Sequence, residues 1–515
     1  MSMNAGLVWL PGLSAVALVL AGWTASEGAE PNVPEAPPQA MTWAADLTPL
    51  LRAVDLNLGE ERKVALCDGN AATVKLLKID VRRDALRDVV REARVTVEVN
   101  GVKATLLSAN YTLPQSVGGV QIDCPIVKAY LSNSRGNAWG LDSDARLRLW
   151  PAGSPWVRPG TFAYPVKQRW FASDTQMSNE PTFVDGVESP KSRRIYYHDA
   201  LDFGGAEGLV EVVAAAEGVV ICAGKDRWSG APEGPGAPRY DSVTVLDRRG
   251  WYHRYSHLQS IDPAVKPGRA VKMGQRIGVL GKEGDSGGWS HLHFGIASRQ
   301  PSGRWGTQEG YAFIWQAYLE QHRPKIIAVA RPHHLLAPGQ TATLDGGKSW
   351  CADGNIASYE WTFTDGTKAS GAKVRHKYDK PGEYSEVLKV ADAAGNVDYD
   401  FAVVQVVDPN RPKPPGLHLT YCPTFGIKPG DAVTFKVRAF GTTHGRETID
   451  FGDVTPPARV KSDGNVEALA RYGYASVVHR FARPGHYVVT ARRANEHGME
   501  AVMRVHVVVE NPPPQ

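Results

Sequence analysis

Two distant stretches of the chain share one pattern. HKYDKPGEYSEVLKV (His376–Val390) and HRFARPGHYVVTARR (His479–Arg493) place His, Pro-Gly and Tyr at the same offsets. His376, Pro381, Gly382 and Tyr384 return as His479, Pro484, Gly485 and Tyr487. Each copy follows another shared segment, YEWTFTDGT (Tyr359–Thr367) in the first and TIDFGD (Thr448–Asp453) in the second. Two copies of a β-pattern at domain-sized spacing predict tandem β-sandwiches, here residues 324–408 and 417–511. The Pro-rich PNRPKPPG between them (409–416) reads as a stiff linker. The second copy has Thr448-Ile449 where the first has Trp361, and a long insert before His479. The repeated His and Tyr are expected in cores and corners, because no carboxylate or Cys partner repeats with them.

These sandwiches fill less than half of a 515-residue chain, which is long enough for three or four domains. With 52 Gly and 36 Pro, strands and turns are favoured over long helices, and a mainly β fold is expected. A net charge of only +4 gives no reason to expect nucleic acid as a partner. The apolar run Leu7–Trp23, followed by the small residues TASEGA, predicts a signal peptide over 1–26, hence an exported protein of the periplasm, cell envelope or medium. Its n-region has no Lys or Arg, so an uncleaved anchor is the alternative. No Cys follows the run to carry a lipid, and no other stretch could span a membrane.

Residues 27–40 form a Pro-rich linker. Residues 41–165 read as a β-rich accessory domain, with a hairpin at VTVEVNGVKATL (Val95–Leu106) turning on Asn100-Gly101. The preceding RRDALRDVVREA (Arg82–Ala93) has a more helical pattern. Cys67 and Cys124 share this region and could pair, or both could be small buried residues. Tyr164–Arg194 is a polar lead-in to a third β-rich unit, residues 166–323, which a helix near Gly310–His322 closes.

The chemistry lies in that unit, where GDSGGWSHLHFGI (Gly284–Ile296) holds two rival signals. GDSGG would make Ser286 a nucleophile, but no Ala-His-Cys precedes it and the His–Asp–Ser order is missing. Ser286 is therefore expected in a turn, with Gly287 and Gly288 letting backbone approach substrate. HLHF fares better. In a strand, His291 and His293 point to one face. Upstream stand His198 and Asp202 in YYHDALDF, and His257 in RYSHLQS. Imidazole and carboxylate are suitable zinc ligands, and a catalytic zinc needs about three of them plus an open position. His253 lies an even four residues before His257 and could be a rim residue, though a surface His is the plainer reading. His333 and His334 have no acidic or Cys neighbours in sequence and read as structural.

With AAAEGVVICAG (Ala214–Gly224), WYHRYSHLQSI (Trp251–Ile261), VKPGRAVKMGQRIGVLG (Val265–Gly281) and HLHFGI in this order, the stretch from Ile195 to Ala297 resembles the lysostaphin/LytM-type zinc endopeptidases of peptidoglycan. The W-x-F-x-DG and PG-x-Y elements likewise resemble PKD-type immunoglobulin-like modules. The first resemblance implies one Zn2+ per chain held by His198, Asp202 and His293. His291 would be the base toward the attacking water, and His257 would stabilise the oxyanion. It implies peptidoglycan peptide as substrate, with the PKD-like modules binding wall or envelope partners. A non-catalytic wall-binding protein and a zinc peptidase for extracellular proteins are the alternatives. Two positions depart from the family pattern: Ala200 replaces the Gly of H-x-G-x-D, and Gly295 stands where an acid is common. The insert DRWSGAPEGPGAPRY (Asp226–Tyr240) falls where the family varies and is expected to line the groove.

Overall fold

The computed structural model describes residues 46–132, 134, 136–183 and 195–511. The predicted signal peptide and linker, residues 1–40, lie outside the described residues. Strands dominate, and among the described residues no helix is long and apolar enough to cross a membrane.

Near the N-terminus two four-stranded antiparallel sheets face each other over a core of Leu56, Val74, Leu76, Val95, Val97, Leu147 and Leu149. The alternating burial of Val90–Val99 produces this arrangement, since every second side chain is apolar and turned inward. The hairpin turns as the sequence predicts: Val99 pairs with Val102, and Asn100 and Gly101 take φ of 49° and 82°. The helix expected over Arg82–Ala93 is absent. Ala71–Arg83 and Val90–Val99 are instead paired strands, with Arg82 opposite Glu92. Asp84 Oδ1 accepts the amides of Leu86 (2.9 Å) and Arg87 (2.6 Å), which diverts the backbone into a turn. Val89, Val90 and Ala93 then join the core. Cys67 and Cys124 do not pair, and all five cysteines are free.

The middle of the chain builds a nine-stranded sheet in which His291–Arg299 is central, flanked by Tyr252–Ser256 and Leu201–Gly204. A three-stranded sheet (Glu211–Val213, Arg276–Leu280, Leu258–Ile261) shares its core. The helix Tyr311–His322 covers that core with Phe313, Ile314 and Trp315. The described part of the lead-in, residues 164–183, is less polar in effect than its composition implies: Tyr164, Trp170, Phe171 and Met177 are buried, and Trp170 packs on Trp315 and Tyr318, while 184–194 lie outside the described residues.

The C-terminal repeats are two sandwiches whose sheets meet edge to edge, Gly382–Asp392 beside Glu500–Val509 in parallel. The repeated residues superpose in role. His376 stacks on Phe363 (4.0 Å) and His479 on Phe451 (3.9 Å). Carboxylate partners do repeat, contrary to expectation: Asp365 lies 3.5 Å from His376 and Asp453 lies 2.8 Å from His479. They come from the acidic turns, which folding brings beside the histidines. Tyr384 and Tyr487 each donate to a carbonyl four residues back, Lys380 and Arg483. Ile449 occupies the buried position of Trp361.

Candidate metal centre and catalytic site

Strand alternation builds the site. Along His291–Arg299, Leu292, Phe294 and Ile296 enter the core, which leaves His291 and His293 on the opposite face. Register supplies the next ligand, because Asp202 sits directly across from His293. His198, just before that strand, completes the group. His198 Nε2 lies 3.0 Å from His293 Nδ1 and 3.2 Å from Asp202 Oδ1, and His293 Nδ1 lies 3.0 Å from Asp202 Oδ1. These three residues form a candidate metal-ion group. A tetrahedral ion bound at ~2.0–2.1 Å separates its ligand atoms by ~3.3 Å, so the donor set and its spacing fit zinc.

Charge at the site follows from this crowding. Burial alone would raise the Asp202 carboxyl, but the His198 and His291 rings hold it well below the usual carboxylate range. Burial opposes a charge on His198, yet Asp202 outweighs it and lifts that ring to about 9. Burial lowers His293 and, with help from the neighbouring His257 and His293 rings, pushes His291 well down. A cation bound between the three ligands would take the place of the proton that His198 holds.

Two more histidines face this group. The His291 and His257 rings are 4.6 Å apart, and His257 lies 5.7 Å from His293. His291 Nδ1 is 3.0 Å from the carbonyl of Trp289, and His257 Nδ1 is 2.6 Å from that of Glu283. A carbonyl can only accept, so both Nδ1 atoms carry hydrogen, and the His291 ring, kept neutral by burial, has its lone pair on Nε2. Trp289 also stacks flat on His291, with centroids 3.9 Å apart.

His257 and His253 part company, contrary to the even offset. His253 is fully buried on the core side against Phe294, with Nε2 at 2.8 Å from Asp247. His257 has φ of +66°, a left-handed residue at the end of the strand that reverses the alternation and turns its ring to the site. Asp241 holds that turn. Its carboxylate accepts the His257 amide (3.0 Å), its carbonyl accepts that of Leu258 (3.0 Å), and Arg239 grips it from behind at 2.5 and 2.6 Å. Sequence reading missed Asp241 and Trp289, and covered Arg239 only as part of the insert. Only proximity to the insert and to HLHF could have flagged them.

Other expectations meet mixed outcomes. Ser286 is a buried turn residue whose hydroxyl donates to the Lys282 carbonyl and accepts the Gly288 amide (3.1 Å). Gly288 packs against the second sandwich, where a Cβ would lie 2.0 Å from Asn465 Oδ1. The insert reaches the site only at its end, through Arg239 and Tyr240, whose hydroxyl accepts the Gly284 amide at 2.8 Å. Its middle folds back, with Gly234 against the Tyr252 hydroxyl. The two departures touch each other, since a Cβ at Gly295 would meet the Ala200 methyl at 3.7 Å. His333 has an acidic partner after all, Asp174 at 2.7 Å, contributed by the lead-in.

Two family models match parts of the chain. Residues 196–303 match the model of peptidase family M23, and residues 322–406 that of the PKD domain. Over 81 residues the chain is 44% identical to collagenase ColA of Clostridium perfringens, covering 16% of this chain and 7% of that protein. The chain thus spans only a small part of that relative. A mutant catalytic domain of the prophage-encoded M23 protein EnpA from Enterococcus faecalis is similar at 22% identity and a TM-score of 0.16, over 21% of this chain and 74% of that one. A putative M23 peptidase from Pseudomonas aeruginosa is similar at 17% identity and a TM-score of 0.21, over 52% and 95%.

Proposed function

We propose that this chain, which carries an M23 (LytM-type) peptidase domain and a PKD domain, is an exported zinc-dependent endopeptidase that hydrolyses the peptide cross-links of bacterial peptidoglycan. The observation that carries the reading is the convergence of His198 Nε2, Asp202 Oδ1 and His293 Nδ1 within 3.2 Å of one another, with two further imidazoles beside them. In this reading residues 1–26 are the signal peptide, 41–165 the accessory domain and 166–323 the peptidase. The sandwiches 324–408 and 417–511 hold the enzyme on the wall or on an envelope partner.

His198, Asp202 and His293 would hold the ion. When bound, zinc supplies a Lewis acid that polarises the scissile carbonyl and acidifies a water. His291 takes the proton of the attacking water on Nε2, since Trp289 fixes its Nδ1–H. Burial keeps that ring neutral and able to accept. His257, whose ring orientation the Glu283 carbonyl fixes through Nδ1, stands beside the oxygen that gains negative charge and is the side chain assigned to stabilise it. The same His291 proton can then pass to the leaving amine. Access is from the His293 side, whose side chain is 23% exposed while the others are buried.

Incubating the protein with purified peptidoglycan and, separately, with an unstructured protein, then identifying the cleaved bonds by mass spectrometry, tests the reading. Release of cross-link peptides, abolished by His291→Ala, is expected. Cleavage confined to the unstructured protein would refute the substrate class.

A further inference from the structure

One contact of the second sandwich with the catalytic domain falls at the edge of the site. Residues 461–474, the insert that sets this repeat apart from the first, lie against Gly287–Ser290, the turn that leads into HLHF. Tyr474 accepts the Ser290 amide on its hydroxyl at 2.7 Å and pairs through the same oxygen with His418 Nδ1, also at 2.7 Å. Asn465 Nδ2 donates to the Gly287 carbonyl at 3.0 Å. Arg438, fully buried, donates to the Gly288 carbonyl. The same guanidinium fixes the insert, through Asp463 (2.6 and 2.8 Å) and the carbonyls of Glu467 (2.8 Å) and Ala468 (3.0 Å). Tyr474 and Arg438 are therefore buried bridges between two domains.

What the loop carries makes the contact more than docking. Its Trp289 ring lies between His291 (3.9 Å, nearly parallel) and His418 of the sandwich (5.3 Å, edge-on). The Trp289 carbonyl fixes His291 Nδ1. Gly288 has φ of +89° and no room for a side chain, because Asn465 fills the space. The Gly287 and Gly288 carbonyls and the Ser290 amide thus all end on the second sandwich.

We infer that the insert 461–474 of the second sandwich completes the catalytic site, with Tyr474, Asn465 and Arg438 as positioning residues that hold Trp289 and, through it, the His291 ring. The inference rests on the proposed role of His291. A base displaced by about 1 Å can lose on the order of a hundredfold in rate, so loosening this loop acts on turnover and leaves metal binding alone.

The test uses the full-length chain with Tyr474→Phe and Asn465→Ala made separately. Hydrogen exchange read by mass spectrometry follows the amides of residues 284–292, and kcat, KM and zinc content are measured alongside. Faster exchange in that segment, kcat down at least about tenfold, and KM and zinc unchanged are expected for Tyr474→Phe, with a smaller shift for Asn465→Ala. Unchanged exchange in both variants overturns the inference, as does faster exchange with kcat intact. If the wild-type protein cleaves no peptidoglycan, the proposed function falls, while the exchange data still decide whether the insert orders the loop. Should Tyr474→Phe unfold the sandwich, Asn465→Ala, at a partly exposed position, decides between the same two outcomes.

Discussion

Replacing Asp241 with Ala should disable the enzyme without touching a metal ligand. The side chain is fully buried and its Oδ2 accepts the His257 amide at 3.0 Å. His257 needs that bond, because a non-glycine residue in the left-handed region costs ~1–3 kcal/mol. A buried amide deprived of its acceptor costs about the same again. If ~2 kcal/mol of this favours the relaxed backbone, in which the ring swings back toward the core face, the productive conformer falls about 30-fold. The kcat for cross-linked muropeptides should drop by that factor, with zinc content unchanged and KM little altered. Asp241→Asn keeps an acceptor oxygen and should lose less. A kcat within twofold of wild type, or a loss that tracks missing zinc, would refute the argument that Asp241 acts through the backbone of His257.

Glu383 is buried at the junction of the sandwiches, and burial raises its carboxyl to about 7 even though it accepts the Leu417 amide. Its folded pKa exceeds the unfolded one, so stability is fullest below about pH 4.5 and declines as pH rises toward 7. Glu383→Gln should match wild type at low pH and exceed it at pH 8 by up to about 3 kcal/mol, read by urea unfolding; equal stability at both pH values would contradict this. His253→Ala should destabilise by about 2–4 kcal/mol, since it opens a cavity and strips Asp247 of a partner, yet leave zinc content at wild type. Loss of zinc would place His253 at the site instead. Ser286→Ala should retain turnover within severalfold and cost about 1 kcal/mol, and serine-directed fluorophosphonates should not label the wild type.

Local pattern carried much of this architecture. Alternation in HLHF separated His291 and His293 from the core residues between them, and the Asn100-Gly101 pair set its hairpin. Where the sequence misled, the deciding partner came from elsewhere in the chain. The segment Arg82–Ala93 has helical spacing, but Asp84 captures the turn amides and the sheet takes the rest. The even offset from His253 to His257 fails at one dihedral angle, which Asp241 imposes from another loop. The carboxylate beside His333 is remote in sequence, as is Asn465, the neighbour that leaves Gly288 no side chain, and those beside His376 and His479 come from preceding turns that only the fold returns to the rings. Burial and register can be read from neighbours along the chain, whereas these contacts depend on closure of the whole fold.

The central claim is that His198, Asp202 and His293 bind the one catalytic zinc. Metal analysis of the purified chain, paired with peptidoglycan hydrolysis before and after chelation, tests it most directly. The account predicts one zinc per wild-type chain, none in Asp202→Ala, and hydrolysis that disappears with the chelator and returns with zinc. Undiminished hydrolysis by metal-free protein, or full zinc content in folded Asp202→Ala, would contradict it.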